Sequence, residues 1–336
     1  MWGAQLEAGD IATDYIPTTS TAVSVGMTAD VPRLDYSQGS CPSLLLEPQR
    51  TNGVTFSEQL NLWNGSNVSV TANTSVSPYG YQNADNISIT ATNGYWRRNI
   101  LTFANSTSYV ASVFVKKSET TGTKLFKFYY NNNDVSPNNG TWGCTIDLTN
   151  ITATTLPFGT AVTGAPTILS TNIVEYGNEW YRVEVAFTVG SSAGNSVSEI
   201  GFQASGVVVD FLAWGAQLEA GSYPTSYIPT LGTSVTRVAD DAFVSDLISN
   251  GIITSNQFTY FIELEGLGHS TNPQVYLTDV SSNRILSLNL IAQKNRYGFY
   301  SPDAANYVSS DLPANTADGV VKIAVSYDGT NFKQFF

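Results

Sequence analysis

A segment of 17 residues occurs twice in this chain and determines how the chain can be organised. Residues 2–18, WGAQLEAGDIATDYIPT, recur at 214–230 as WGAQLEAGSYPTSYIPT, with 13 of 17 positions identical. The copies begin 212 residues apart, far more than the roughly 20–50 residues between the units of a solenoid or propeller. The repeat therefore predicts a string of whole domains. Each copy is expected to end a module, so that the chain opens on the final strand of one module, at 1–18.

The composition favours strands over helices. Only 12% of the 336 residues are charged, and Tyr and Phe together number 34. Ser, Thr, Asn and Gly, which favour turns and irregular segments, are abundant. No stretch places apolar residues at helical spacing for more than about one turn. We predict an all-β protein of about two to three domains.

Charge and cysteine usage exclude several classes of function. The net charge of −12 argues against a nucleic-acid partner, which would select a basic surface. Cys41, Cys144 and the single histidine, His269, lie in no ligand spacing, so we expect no zinc site, no disulfide framework and no cofactor. The sequence has neither a run of 18 apolar residues nor a leader pattern, so neither membrane insertion nor a secretory signal is expected.

Alternating apolar and polar residues mark strands between the two copies of the repeat. In WYRVEVAFTV at 180–189, alternate residues from Tyr181 to Val189 are apolar, which predicts a half-buried antiparallel strand. The same pattern predicts further strands at 109–117, 124–130, 143–148, 199–203 and 207–214. Their spacing suits a two-sheet sandwich. The second copy of the repeat then forms the last strand, with Trp214 and Leu218 packing inward, a turn at Gly221 and an extended exit at Pro229.

A series of short motifs runs through the same region. They are LLLEPQRTN at 44–52, SEQLNLW at 57–63, SPYGYQNAD at 77–85, YVASVFVKK at 109–117, GNEWYRVEVAF at 177–187, LAWGAQLEAGSYPTSYIPT at 212–230 and SVTRVAD at 234–240. Together they resemble the carbohydrate-binding-module-like jelly-roll domains of bacteriophage tail and head fibres. Gly53 departs from that pattern, since such proteins usually carry an apolar residue after RTN. The resemblance implies jelly-roll modules in tandem, usually in a trimeric fibre.

The rest of the chain divides around this module. Residues 19–50 read as an irregular linker, 51–230 as the jelly roll, and 231–336 as a further module. In this last region we predict strands at 258–264, 274–279, 284–292, 296–300 and 320–327. They resemble the start of a concanavalin-A-like sandwich. The final NFKQFF reads as a strand without its partner, so we expect this sandwich to be incomplete and the chain to be part of a longer fibre.

Tryptophans are the first candidates for sugar contact, because a flat ring can stack on the apolar face of a pyranose. Trp2, Trp180 and Trp214 alternate with other apolar residues and are expected in the core, whereas Trp63 could serve either role. Aromatic surface beside donor groups, in or near loops, leads to a predicted carbohydrate-binding set of Trp96, Arg98, Tyr130 and Trp142. The alternative for these residues is sheet packing or contact with another subunit.

Catalytic and metal sites have weaker signals. Glu263 and Glu265 have the spacing that places two carboxylates on one strand face, but the third acid of a glucanase motif is missing. His269 lacks a GxSxG partner, and the acidic residues within 240–246 do not form a DxDxDG loop. We therefore predict no catalytic residue and no metal site.

Three functions remain in view at this stage. The leading hypothesis is a structural virion protein, a phage fibre or spike subunit made in the bacterial cytoplasm, which displays sandwich modules to host-surface glycans. Its partners would be other virion proteins and further copies in a homotrimer. The alternative is a secreted bacterial protein that binds or degrades glycans. A scaffold without ligand is the third, because a sandwich fold does not dictate function.

Overall fold

The chain folds into strands throughout the part that can be described. The computed structural model describes residues 33–35, 40–100, 103–118, 124–132, 140–156, 166–190, 198–242, 249–252, 257–265, 274–278, 284–291, 294–300, 307–311, 320–328 and 332–335. Within these ranges there is no α-helix, only a 3-10 turn at Leu60–Leu62. Two compact units meet between Asp240 and Asp241. The all-β prediction is confirmed.

Strands of the first unit are numbered in chain order. They are β1 (Leu34–Asp35), β2 (Ser43–Leu44), β3 (Arg50–Asn52), β4 (Asn64–Ser66), β5 (Val68–Ser75), β6 (Ala84–Ile89), β7 (Tyr95–Ile100), β8 (Ser108–Lys117), β9 (Leu125–Asn132), β10 (Gly140–Asp147), β11 (Thr152–Leu156), β12 (Thr167–Glu175), β13 (Trp180–Thr188), β14 (Ser198–Ala204), β15 (Val209–Ala220) and β16 (Val235–Arg237). Every strand predicted from alternation between residues 109 and 214 is present.

Two antiparallel sheets of six strands form a sandwich. Sheet 1 has the order β11-β10-β9-β14-β7-β4, and sheet 2 has the order β12-β13-β8-β15-β6-β5. Their inner faces meet through aromatic rings: Phe126 of sheet 1 stacks on Phe211 of sheet 2 with centroids 3.7 Å apart, and Tyr130 lies 4.8 Å from Phe187. One buried apolar cluster includes residues of both inner faces. Burial of this cluster supplies the main driving force for folding of the unit.

A β-bulge interrupts β15, the last strand of sheet 2 in chain order. Trp214 pairs with Phe114 but Gln217 pairs with Ser112, so β15 has one residue more than its partner. Gly215 allows this with a φ of +64°, and a Cβ added there would lie 3.0 Å from the Phe114 ring. The bulge reverses the alternation. Leu218 packs between the sheets, whereas Trp214 packs on the outer face of sheet 2, so the prediction that both point inward is wrong for Trp214.

The repeated element is held by hydrogen bonds to a buried asparagine. Asn52, at the end of β3, is 0% exposed. Its Nδ2 donates to the carbonyls of Ala216 (3.2 Å) and Ile228 (2.8 Å), and its Oδ1 accepts from the amides of Val54 (3.0 Å) and Leu218 (3.1 Å). All four hydrogen-bonding positions of the side-chain amide are therefore used. The RTN motif and the WGAQLEAG motif are thus two halves of one interaction.

Polar residues of the repeat complete this buried network. The Glu219 carboxylate accepts bonds from Gln217 Nε2 (2.9 Å) and from the Thr225 amide (2.8 Å) and hydroxyl (2.6 Å). The Gln217 Oε1 accepts from the Ile228 amide at 2.7 Å. These four residues are identical in the first copy of the repeat. That copy, including Trp2 and the predicted strand at 2–9, lies outside the described residues.

The boundary between the modules differs from the predicted one. β16 pairs with β3 through Val235–Asn52, Thr236–Thr51 and Arg237–Arg50. The first unit therefore extends to Asp240, ten residues beyond the predicted end at Thr230. Its last residues are also held by charge, because Glu47 forms ion pairs with Arg33 and Arg237.

Two further sheets form the second unit. Its strands are β17 (Phe258–Glu265), β18 (Gln274–Thr278), β19 (Arg284–Ile291), β20 (Lys294–Tyr300), β21 (Tyr307–Asp311), β22 (Val320–Tyr327) and β23 (Phe332–Phe335). They form sheets of order β17-β22-β23 and β18-β19-β20-β21. β23 pairs with residues 324–327 of β22, so the expectation that NFKQFF lacks a partner strand is wrong.

Asn52→Ala tests the role of the buried amide. The substitution leaves two buried carbonyls and two buried amides without their partner, so we expect the free energy of unfolding to fall by on the order of 3–5 kcal/mol. All six tryptophans lie at or before Trp214, so tryptophan fluorescence during urea unfolding of the whole chain reports on the first unit. The exposed Asn61→Ala is the control and should change stability by less than about 0.5 kcal/mol. Equal stability of both variants would show that Asn52 is not the organising contact.

Candidate functional site

The predicted sugar-contacting residues of β7 are half-exposed, and their polar groups bond within the protein. Trp96 is paired in register with the buried Phe202, packs against the core, and its Nε1 donates to the Leu60 carbonyl at 2.8 Å. Arg98 Nε donates to Thr55 Oγ1 at 2.8 Å, and its guanidinium lies 4.7 Å from the centre of the Phe56 ring. Both side chains fix the segment 55–60 against the edge of sheet 1.

Tyr130 is also unsuitable as a sugar contact. Its side chain is 0% exposed and packs against Phe128 and Phe187, so its assignment to a binding surface is wrong. The backbone of Trp142 pairs with that of Tyr130, but the Trp142 side chain lies outside the described residues. The structure therefore does not bring Trp96, Arg98 and Tyr130 together on a surface.

The outer face of sheet 1 is formed by the alternate residues of its strands, which lie on the side away from the other sheet. Directly paired residues of adjacent strands share a face, and the register aligns one half-exposed or exposed residue from each strand. We call this set the polar row; from β11 to β4 it consists of Thr154, Thr145, Lys127, Gln203, Tyr95 and Ser66. At about 4.8 Å between strands, the row is about 24 Å long.

A second row beside it contains two glycines. Its members, which we call the glycine row, are Leu156, Gly143, Tyr129, Gly201, Arg97 and Asn64. Gly143 and Gly201 flank Tyr129, and all three residues are buried. Any Cβ at either position would lie within 2.3 Å of a backbone oxygen of the adjacent strand, which means that only glycine fits.

An aromatic and ionic cluster crosses Gly201. Arg97 Nη1 donates to the Glu199 carboxylate at 2.6 Å, and its guanidinium lies 4.7 Å from the centre of the Tyr95 ring. The Tyr129 hydroxyl also hydrogen-bonds to Arg97. Because Gly201 has no side chain, Arg97 and Tyr129 can meet across the intervening strand. Burial raises the pKa of Tyr129 well above its usual value although Arg97 opposes this, so its phenol stays neutral.

Lys127 supplies a positive charge at the middle of the polar row. It lies between Thr145 and Gln203, is half-exposed, and forms no ion pair with any residue of the described ranges. Its ammonium can therefore donate to a ligand. The polar row therefore offers hydroxyl, amide and ammonium groups beside the ring of Tyr95, which is the mixture that recognises polyhydroxylated ligands.

The candidate catalytic and metal-binding residues find little support among the residues that the structure describes. No cluster of three His, Cys, Asp or Glu residues suited to a metal is found among the described residues. Glu263 forms an exposed ion pair with Lys322 at 3.3 Å, as expected of a solvated strand face. Asp240 is bound by Arg33 and by the Glu47 amide. His269, Asp246 and the Glu265 side chain lie outside the described residues.

Sequence reasoning missed Tyr95, Arg97, Tyr129 and Glu199. In NGYWRRN it selected Trp96 and Arg98, one step away from the residues that face outward. The usable signal was LFKFYY at 125–130, where Phe126 and Phe128 place Tyr130 between the sheets. Tyr129 then lies on the opposite side of β9, where it is also buried.

Comparison with known proteins gives little to add to this geometry. No protein-family model and no curated protein matches the sequence. A solved structure that matches is that of the N-terminal CBM22-1–GH10 modules of endo-1,4-β-D-xylanase 10B from Clostridium thermocellum, complexed with xylohexaose. The identity is 16%, the TM-score is 0.34, and the match covers 55% of this chain and 30% of that one. A likeness at this level transfers no function. Among the described residues no helix is long and apolar enough to span a membrane.

The ion pair within this cluster can be tested by a double-mutant cycle. Arg97→Ala leaves the buried Glu199 carboxylate without its cation, and because Arg97 is itself about one-third exposed we expect a loss of about 1–2 kcal/mol in the free energy of unfolding. Adding Glu199→Gln should recover at least half of it, because the neutral amide tolerates burial better. Unfolding of both single variants and the double variant, followed by tryptophan fluorescence, measures the coupling. Strictly additive losses would show that the two side chains do not interact.

Proposed function

We propose that the first unit is a glycan-binding module and that the outer face of sheet 1 is its binding surface. The observation that carries this proposal is the polar row, to which each of the six strands contributes a half-exposed or exposed side chain. An oligosaccharide along the row would meet a donor or acceptor at each strand. The ring of Tyr95 supplies an aromatic surface at the β7 end.

The rigidity of this surface favours binding. Its side chains stand on strands rather than loops, and Arg97, Glu199 and Tyr129 hold one another in place. Preorganised donors cost less conformational entropy when a flexible ligand is bound.

In its biological setting we propose a structural subunit of a bacteriophage fibre or spike. The string of motifs from LLLEPQRTN to SVTRVAD supports this, and so does the repeated closing element, which suits a fibre built from successive modules. On this proposal the protein lies on the virion surface as a homotrimer, contacts other virion proteins and meets glycans of the host. A secreted bacterial glycan-binding protein shares the binding surface but would not assemble with virion proteins.

Glycan-array binding by the whole chain tests the proposed surface. Lys127→Ala and Gln203→Ala remove donors from the middle of the polar row without exposing core, and each should weaken binding to the best array ligand by about five- to tenfold, the range expected for one or two hydrogen bonds. Lys117→Ala, an exposed lysine at the end of β8 in sheet 2, is the matched control and should bind like the parent.

Two results would contradict the proposal. Binding by the Lys127 and Gln203 variants equal to that of the parent would place the site elsewhere. A folded parent that binds no glycan on the array would favour the scaffold function.

A further inference from the structure

We propose a second carbohydrate-binding site on the opposite side of the sandwich, where Tyr79 and Tyr176 form an aromatic platform for the face of a neutral pyranose. The platform lies over the outer face of sheet 2. It is independent of the polar row, since the two surfaces share no residue and face away from each other across the core.

Both tyrosines of the platform are exposed to solvent. Tyr79 is 44% exposed and Tyr176 is 47% exposed. Tyr79 belongs to the turn after β5, and Tyr176 begins the turn that joins β12 to β13. The two rings are linked through the layer beneath them, because Tyr79 packs on Trp214, Tyr176 packs on Phe114, and the Trp214 and Phe114 ring centroids lie 5.4 Å apart. Burial raises the pKa of Tyr79 to about 12, so its phenol stays neutral and can donate a hydrogen bond.

Buried aromatic residues fix both rings from beneath. The Tyr79 ring lies 5.0 Å from that of Trp214 and 5.8 Å from that of Tyr227, and the Tyr176 ring lies 4.9 Å from that of Phe114. Trp214, Tyr227 and Phe114 belong to one buried cluster on the outer face of sheet 2. The platform is therefore preorganised, because each exposed ring rests on an aromatic layer instead of moving freely in solvent.

The bulge of β15 is what creates this layer. Without the extra residue at Gly215, Trp214 and Leu218 would point to the same face, and the outer cluster would lose its central ring. The repeated segment, which contains the bulge at Gly215, thus also supports the exposed platform of Tyr79 and Tyr176.

Polar groups around the platform select the ligand. Glu58, half-buried beside Asn83, and Tyr79 interact electrostatically. On the other side, Lys116 donates to the Asn178 carbonyl and pairs with the exposed Glu179. The carboxylates can accept bonds from sugar hydroxyls. The cations around the platform already have partners: Lys116 pairs with Glu179, and the buried Arg182, which also acts on Tyr79, donates to Ser112 and to the Thr225 carbonyl. The carboxylates therefore disfavour an anionic sugar. A pyranose with an apolar C–H face and neutral hydroxyls at its rim fits both features.

Saturation-transfer NMR on the full chain tests this site. The probes are the methyl glycosides of glucose, galactose and mannose, with methyl glucuronide as the anionic comparison. For at least one neutral glycoside we expect saturation of ring protons on one face, and a weaker signal for the glucuronide. Tyr79→Ala and Tyr176→Ala should each lower affinity about tenfold, the loss expected for a stacking aromatic. Tyr79→Phe and Tyr176→Phe keep the ring and should retain at least half of the signal.

Controls separate this site from loop damage and from the proposed function. Tyr81→Ala removes a tyrosine that is 41% exposed in the same turn as Tyr79 and has no ring contact with the cluster, so it should bind like the parent. Lys127→Ala should also leave this signal unchanged. Tryptophan fluorescence verifies the fold of each variant, since Trp214 lies under the platform.

The outcomes are distinct. No transfer to any neutral glycoside in the parent overturns the inference, and so does equal transfer in the parent and in folded Tyr79→Ala and Tyr176→Ala. A mass in light scattering that falls on Tyr176→Ala, without sugar binding by the parent, would instead show that the platform is a contact between copies of this chain. If the Lys127 variant loses array binding while any of these results is obtained, the polar row is supported as a binding surface and the second site is not.

Discussion

Four hydrogen bonds to the side chain of Asn52 hold the first unit in the form that its surfaces require. Three of them tie the end of β3 to Ala216 in the bulge of β15, to Leu218 just after it and to the extended segment at Ile228, and the fourth binds the Val54 amide. Because these hydrogen bonds are buried, displacing the Asn52 amide would leave each bonded backbone group without a partner, which costs free energy. The arrangement of β15 decides which side chains of sheet 2 face the core and which face outward. Register and bulge therefore depend on one buried asparagine that belongs to neither proposed binding surface.

The two outer faces of the sandwich have different chemistry for this reason. On sheet 1, uninterrupted pairing from β11 to β4 aligns polar side chains into a row, and glycines beside the row leave room for Arg97 to reach Tyr129. On sheet 2, the bulge places Trp214 outside, and the segment that follows Gly221 covers it with Tyr227. Only the periphery of that aromatic layer, at Tyr79 and Tyr176, remains in solvent. One face is suited to hydrogen bonding along an extended ligand and the other to stacking on a single ring.

The sequence is sufficient to predict the strands but not the side of the sheet on which each residue lies. Alternation identified β8, β9, β13 and β15 because it is a local property of each segment. The side of β7 on which Trp96 and Arg98 lie could not be predicted for a physical reason. NGYWRRN is aromatic and basic at successive positions, so only the pairing of β7 with β14 shows which alternate residues pack against the core. The bulge at Gly215 and the pairing of β16 with β3 both depend on contacts far apart in the chain. Asn52 lies outside the repeated segment, and the fact that three of its four partners belong to the second copy becomes known only from the fold.

A crystal structure of the whole chain with the oligosaccharide that binds best on the array tests the central claim most directly, because the claim concerns where a ligand lies. We expect density for consecutive sugar residues along sheet 1, in contact with Lys127, Gln203 and Tyr95, with Trp96 and Tyr130 still packed inside. Density confined to another surface, with the polar row unoccupied, would contradict the account.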